Sequence, residues 1–274
     1  MGLRVNTNIA SMTAQRNLAA VTARLGGNVS RLSSGLRIAS ASDDAAGLGI
    51  SERMRAQVRS FGVAGRNAQD GPSLAQTAEG ALLEVSNYLS RMRELAVQSA
   101  NGTLNATDRT TLNSEFQQLS AEIDRTATQT KFNGVNLLDG STASVNVQVG
   151  VNSGETLTVT LADSKAATLG VSALNLTSVA NSNTALAALD TAIDTVSTGR
   201  GTLGAAQNRL GSAIASIANA KENLSASESR IRDVDVAAET ADLTRNSILQ
   251  QAAVSVLSQA NSQPQLALSL LGNR

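Results

Sequence analysis

The sequence predicts a mainly α chain: a bundle of long helices with coiled-coil-like seams, interrupted by one small β-hairpin in its central region. Three observations carry this. Apolar residues recur at steps of three and four, or of seven, through most of the chain. Aromatic residues make up 1% of the 274 residues against 42% hydrophobic, so a core must be built from Ala, Leu, Val and Ile on closely approaching helices. Only between about residues 141 and 162 does the apolar period fall to two.

The first helix is set by Leu18, Leu25 and Leu32 at intervals of seven, with Val21 and Val29 between them. A loop follows in "RLSSGLRIASASDDAAGLGISERM". Its adjacent Asp43 and Asp44 cannot converge on one substrate atom from a helix, where neighbours point about 100° apart. With Ser40 and Ser42 they read as a cap for the next helix.

That second helix carries Ala75, Ala78, Leu82, Val85, Leu89, Met92 and Ala96 on one face. Gly71-Pro72-Ser73 suits its start, and Asn101-Gly102 suits a stop through a residue with positive φ. Leu112, Phe116, Leu119 and Ile123 mark a third helix, with Thr107-Asp108 as its cap and an antiparallel pairing to the second. Val145, Val147, Val149 and Val151, then "NSGE", then Leu157, Val159 and Leu161 read as the hairpin, an exposed excursion from the helical body.

Leu203, Leu210, Ile217, Leu224 and Ile231 then repeat at sevens, each followed three residues later by a smaller residue, from Ala206 to Val234. A last helix holds Ile248, Leu249, Ala252, Ala253, Val256, Leu257 and Ala260, before Pro264 and the apolar tail "QLALSLL". Its polar positions are Gln, Asn and Ser, which can later be buried against copies of the chain if their amides find partners.

The composition removes whole classes of function. There is no His and no Cys, which excludes Ser-His and Cys-His nucleophiles, the common zinc sites and disulfides. Lys plus Arg and Asp plus Glu both number 22, so no net field favours nucleic acid or an anionic membrane. Gly47-Leu48-Gly49 follows no strand and lacks the third glycine of a dinucleotide loop, and "GGNVSRLSSG" lacks the Lys of a phosphate-binding loop. Arg91 and Arg93 with Glu94 read as a solvated charged face. Asn101, Asn105, Asn175 and Asn223 match the short glycosylation pattern, which is weakly specific. No catalytic, metal or cofactor site is expected. Neither a secretory signal nor a membrane span is legible, which taken alone points to the cytosol.

The stretches "RLSSGLRIASASDDAAGLGISERM", "NAQDGPSLAQTAEGAL", "RMRELAVQSANGT", "FNGVNLLDG", "LGAAQNRLGSAI", "ENLSASESRIRDVD" and "ILQQAAVSVLSQANSQPQLALSLL" resemble bacterial flagellin. The resemblance covers most of residues 2–139 and 203–274. It implies a structural, non-enzymatic subunit that self-polymerises into the helical flagellar filament for motility, outside the cell, after export unfolded through the flagellar type III system. That replaces the cytosolic expectation.

It further implies that the chain ends pair. Residues 1–42 with 235–274 would form the D0 inner-tube coiled coil and 43–234 the D1 bundle, the outer domains D2 and D3 being absent and the filament smooth and thin. Ile9, Met12, Leu18, Leu25, Ile248, Leu249, Val256 and Leu257 would make inner-tube contacts. Ser33, Ser34, Gly35, Asp43 and Asp44 would form the D0–D1 linker. Arg91, Leu95 and Glu115 match the family's recognition by Toll-like receptor 5.

Implied partners are further copies of the chain, an export chaperone at the C-terminal segment, hook–filament junction proteins, the filament cap and that receptor, with no nucleic acid and no membrane insertion. The sequence departs from the family's pattern at Pro72, where an aliphatic residue is usual, and in the Gly272-Asn273-Arg274 ending. A hook–filament junction protein shares the terminal architecture, and a pure receptor ligand would not need self-complementary ends. A filament-borne zinc protease would need the His pair that this chain lacks.

Overall fold

The computed structural model describes residues 7–271, with side chains described through Pro264. The apolar side chains of the tail and Gly272-Asn273-Arg274 lie outside the described residues. The elements in order are α1 (Ile9–Ser34), α2 (Ala45–Ser99), α3 (Ala106–Gln129), β1 (Lys131–Phe132), β2 (Val135–Asn136), β3 (Ser144–Gln148), β4 (Thr156–Thr160), α4 (Val179–Arg232) and α5 (Val236–Leu271). Two compact units divide the chain: Met1–Ala56 with Asn223–Arg274, and Gln57–Glu222.

The second unit is built around the small-residue seams. Leu82, Val85, Leu89 and Met92 of α2, Phe116 and Ile123 of α3, and Leu189, Leu203 and Leu210 of α4 share one buried cluster. Each such side chain contributes roughly 1.5–3 kcal/mol by leaving water. Glycine lets α2 and α4 approach. A Cβ on Gly71 would stand 2.8 Å from Leu210 Cδ1.

α3 runs antiparallel to α2, as its apolar face predicts. The heptad of α4 extends further back than Leu203, through Ser182, Leu189 and Val196, so this helix starts at Val179.

Several local expectations are corrected. Gly71-Pro72-Ser73 does not start a helix, because α2 runs unbroken from Ala45 to Ser99 through Pro72. An interior proline forfeits a backbone hydrogen bond and costs about 3 kcal/mol in a free helix. Here Ala68, Gly71, Leu74, Ala75 and Ala78 are buried on both sides of it, so packing outweighs propensity. α5 likewise continues past Pro264, to Leu271.

The stop of α2 is not a left-handed Asn or Gly, for neither Asn101 nor Gly102 has positive φ. Instead the Arg109 guanidinium donates to the carbonyls of Ser99 (3.0 Å), Asn101 (2.7 Å) and Leu104 (2.8 Å), satisfying groups that a helix end leaves open. The cap of α3 is Asn105, whose Oδ1 accepts from Asp108 N at 2.8 Å, rather than Thr107-Asp108.

The central hairpin pairs β3 with β4 in antiparallel register, Val145 facing Val159 and Val147 facing Leu157. It is not an excursion into solvent. Val159 and Leu161 are buried, and Val145, Val147 and Leu157 pack on the helical core. A second hairpin, β1–β2, turns through Asn133 and Gly134, both with positive φ, the conformation that an Asn-Gly turn supplies readily.

Candidate self-assembly surface

In the first unit α1 and α5 form an antiparallel pair. The less exposed positions of α1 are Ser11, Ala14, Leu18, Val21, Leu25, Asn28 and Leu32; those of α5 are Glu239, Leu243, Asn246, Gln250, Ala253, Leu257 and Ala260. Both sets step by three and four, which is the seam of a coiled coil.

Polar side chains occupy much of that seam. Asn246 Nδ2 donates to Asn28 Oδ1 (2.9 Å), and Asn28 Nδ2 donates to Glu239 Oε1 (2.6 Å). Arg31 also reaches Glu239, with Nε at 2.9 Å. At the far end Asn8 caps α1 by accepting from Ser11 N (3.0 Å), while its Nδ2 donates to Ala260 O (2.7 Å).

A second set of aliphatic side chains points the other way. Ile9 is 63% exposed, Met12 57%, Ile248 61%, Leu249 43% and Val256 58%. Amides and a carboxylate thus share the seam with Leu18, Val21, Leu25, Leu32, Leu243 and Leu257, while these further large apolar groups face water. Five of the eight residues expected in inner-tube contacts lie on this outer face. Leu18, Leu25 and Leu257 are half-buried in the intrachain seam instead. Val254, 52% exposed, is a further exposed aliphatic of α5, but at six residues from Ile248 and two from Val256 it lies on a different side of the helix.

The segment between α1 and α2 is tied closely. Ser33 and Ser34 are the last residues of α1, and Gly35 caps it with φ 72°, its N–H donating to Arg31 O at 2.9 Å. Asp43 Oδ2 accepts from Ala39 N (3.1 Å) and Ser40 N (2.9 Å). These bonds, the Ser40 backbone foremost, hold its carboxyl below the usual carboxylate range. Asp44 Oδ1 accepts from Gly47 N (2.9 Å) at the start of α2, a cap as expected.

Gly47 has no room for a side chain, since a Cβ there would meet the Asp44 carboxylate and stand 2.9 Å from Ile38 Cδ1. Leu36 bridges antiparallel to Asp233, and Arg37 N donates to Arg232 O (2.7 Å). The stretch before α2 is thus laced to the turn between α4 and α5.

In the second unit Arg91 Nε donates to Glu115 Oε1 (3.0 Å) and its NH1 to Glu94 Oε2 (2.8 Å). Arg93 pairs with Asp190 at 2.6 Å. These arginines join helices rather than standing alone on a solvated face. Glu94 first and Glu115 second raise the pKa of Arg91, and Asp190 raises that of Arg93. Arg91 and Glu115 are surface groups and stand together, but Leu95 is 1% exposed. Its side chain belongs to the core and supports that surface from beneath, so it is not a contact group of the isolated chain.

Among the described residues no group of His, Cys, Asp and Glu could hold a metal, and no helix is long and apolar enough to cross a membrane.

Known proteins agree with this architecture. The family model for the bacterial flagellin N-terminal helical region matches residues 5–143, and that for the C-terminal helical region matches 186–271. Flagellin of Halalkalibacterium halodurans is 51% identical, over 97% of this chain and 99% of its own length. Flagellin of Bacillus subtilis is 42% identical, over 98% of this chain and 100% of its own. The crystal structure of Bacillus cereus flagellin superposes with a TM-score of 0.51 at 40% identity, covering 56% of this chain and 88% of that one. The chain belongs to the bacterial flagellin family, the structural, non-enzymatic subunits of the flagellar filament that serves motility.

Proposed function

We propose that the chain polymerises through the outer faces of its terminal helices, and that this contact forms the inner tube of the filament. The observation that carries the proposal is the outer face of the α1–α5 pair, with Ile9, Met12, Ile248, Leu249 and Val256 in water while Asn28, Glu239 and Asn246 lie in the seam. A set of exposed aliphatics of this kind marks a surface for a partner to cover. A second copy offers a surface of the same kind. Head-to-tail contacts that do not close a ring extend into a helical polymer.

In this reading residues 1–42 and 235–274 make the inner tube and 43–234 the surrounding bundle, with no outer domains. The five aliphatics supply about 1 kcal/mol each on full burial, which is less than association costs at its upper range. Exposed Leu83 and Val97 on α2 add contacts between bundles. A polar seam also leaves the paired ends weak on their own, since isolated helices of this kind gain little from propensity. The ends therefore pass unfolded through the flagellar type III channel, escorted by an export chaperone at the C-terminal segment, and order when neighbours cover them. Junction and cap proteins meet the same terminal surfaces at the filament's two ends. Arg91 and Glu115 form the candidate surface for Toll-like receptor 5, with Leu95 beneath.

Seeded assembly tests the proposal. Subunits cooled with short filament fragments should elongate them into long filaments visible by electron microscopy. A chain with Ile9, Met12, Ile248, Leu249 and Val256 all changed to Ser should remain in the supernatant. Short caps from the parent chain would favour the junction protein, and normal filaments from the Ser variant would refute the assignment of the surface.

A further inference from the structure

The polar contacts inside the α1–α5 seam bear on how the two helices choose their alignment. Much of the seam is degenerate to a slip of seven residues. On α1, Leu18, Leu25 and Leu32 repeat at sevens, as do Ala14 and Val21. The ion pair of Arg31 with Glu239, at 2.8 Å, is degenerate as well, because Arg24 lies one heptad before Arg31 and offers the same guanidinium. A slip of seven residues displaces one helix by about 10 Å along its axis. It forfeits neither the leucine contacts nor that ion pair.

Besides the backbone bonds of Leu36 and Arg37 to the α4–α5 turn and the Ser11 Oγ bond to Asn261 Oδ1 at 2.7 Å, two amide contacts do not repeat. Asn28 is 2% exposed. It accepts from Asn246 Nδ2 at 2.9 Å and donates to Glu239 Oε1 at 2.6 Å. The slip brings Val21 to the place of Asn28 and leaves the Asn246 amide facing an aliphatic side chain, where unmade hydrogen bonds are costly.

The second contact is Asn8 Nδ2 on Ala260 O, at 2.7 Å. In a regular helix that carbonyl accepts from the N–H four residues on, but residue 264 is proline and has none. Pro264 thus opens one acceptor in this stretch of α5, and only one alignment carries the Asn8 amide to it.

We infer that Asn28 with Asn246, and Asn8 with the carbonyl opened by Pro264, are positioning residues that fix the register of α1 on α5 for assembly. A single buried Asn setting register at some cost in stability is an established device of coiled coils. Two fixed points near opposite ends of α1 leave neither helix free to slide. The consequence for the filament rests on the assembly reading above. Register decides which aliphatics of the two helices stand level on the outer face, and the slip moves Ile9 and Met12 by about one heptad of axial rise along α5.

The chain lacks Cys, so introduced thiols report register cleanly. Thr22 Oγ1 and Gln250 Nε2 lie 3.5 Å apart, and the slip would place Thr22 beside Leu243 instead. Full-length chains carrying Thr22→Cys with Gln250→Cys, or Thr22→Cys with Leu243→Cys, are treated with a short thiol cross-linker as subunits and in seeded filaments. Intrachain products are resolved from dimers by gel mobility.

In the parent background the Gln250 pair should cross-link at least tenfold more than the Leu243 pair. Asn28→Leu with Asn246→Leu, in a chain that also carries Asn8→Ser so that neither fixed point remains, should bring the two pairs within about threefold of each other. Relocating the fixed point with Val21→Asn, Asn28→Leu and Asn8→Ser should make the Leu243 pair dominant, and Ser at position 8 retains the helix cap.

Undiminished preference for the Gln250 pair in the Leu/Leu chain would overturn the inference. So would loss of both cross-links in that chain, which would mean that the amides hold the helices together rather than choose their alignment. Failure of the parent chain to elongate seeds counts against the assembly reading alone, because the cross-link ratio in subunits still reports register.

Discussion

Ile248→Ala isolates the contact on which the filament reading depends. Ile248 is 61% exposed on the side of α5 away from α1. Complete burial of an Ile side chain is worth roughly 1.5–3 kcal/mol. About three-fifths of that is still to be gained when a neighbouring subunit covers it, and Ala would recover a small part. The loss to the polymer is then about 1–1.5 kcal/mol per subunit.

Since 1.4 kcal/mol is a factor of ten in an equilibrium constant, the critical concentration for seeded elongation should rise about 5- to 15-fold. The subunit itself should not be weakened, because Ala is the better helix former by a few tenths of a kcal/mol. Sedimentation of filaments at graded subunit concentrations gives the first quantity and thermal circular dichroism the second. A critical concentration within twofold of the parent, or a subunit that melts earlier, would refute the reasoning. Leu257→Ala is the contrasting variant. It sits half-buried in the intrachain seam and should lower the stability of the helix pair before any polymer forms.

Phe116, fully buried among α2, α3 and α4, should cost about 3–5 kcal/mol when changed to Ala, read as a fall in the urea midpoint of the second unit. Pro72→Ala should raise the melting temperature of the chain by restoring a helical N–H, with a gain of up to about 3 kcal/mol; an unchanged or lower melting temperature would show that Pro72 is not a cost to α2. Asp44→Ala should destabilise the start of α2 by about 1 kcal/mol, visible as faster amide exchange at Gly47.

The pH dependence has two arms. Asp43 and Asp190 have lowered pKa values, the first through the Ser40 and Ala39 bonds and the second through Arg93. Their stabilisation is complete above the ordinary Asp range and is lost as pH falls through the lowered values, so unfolding should set in only in acid. On the alkaline side Arg91 and Arg93 have raised pKa values, and their contribution is lost only as pH rises through those values. With no His or Cys in the chain, the melting temperature should stay flat from about pH 6 to about pH 9.5, and a marked slope within that window would contradict these assignments.

The sequence was informative where one face of an element is apolar and periodic. Leu82 through Ala96, the Phe116 face of α3 and the repeat through Leu203 and Leu210 place three helices and their seams directly, because burial repeats with the helical period. The alternation of Val145, Val147 and Val159 likewise places the hairpin. It was misleading where local chemistry and packing compete. Pro72 and Pro264 read as boundaries, yet both helices continue through them, at Pro72 between residues buried on both sides. Arg109 capping α2 from ten residues away leaves no periodic trace at all. The β1–β2 hairpin was not expected from the sequence, which pointed to a single hairpin, although its Asn133-Gly134 turn is a recognised two-residue signal.

For the assembly surface, the sequence picked out large aliphatics at both chain ends but could not divide them between the seam and the outer face. Leu18 and Leu257 are as apolar as Ile248. What separates them is the helical angle relative to Asn28, Asn246 and Gln250, polar residues that would ordinarily mark a solvent face and here mark the inside.

The central claim is that the outer face of the α1–α5 pair is covered when subunits join, and Met12 reports it most directly. Its thioether is 57% exposed in the isolated subunit, whereas Met92 is buried. Oxidation by dilute peroxide, followed by peptide mass spectrometry, should modify Met12 rapidly in dissociated subunits and at least tenfold more slowly in filaments, with Met92 protected in both. Equal rates at Met12 in subunits and filaments would mean that this face stays in water after assembly, and the filament would have to be held together elsewhere.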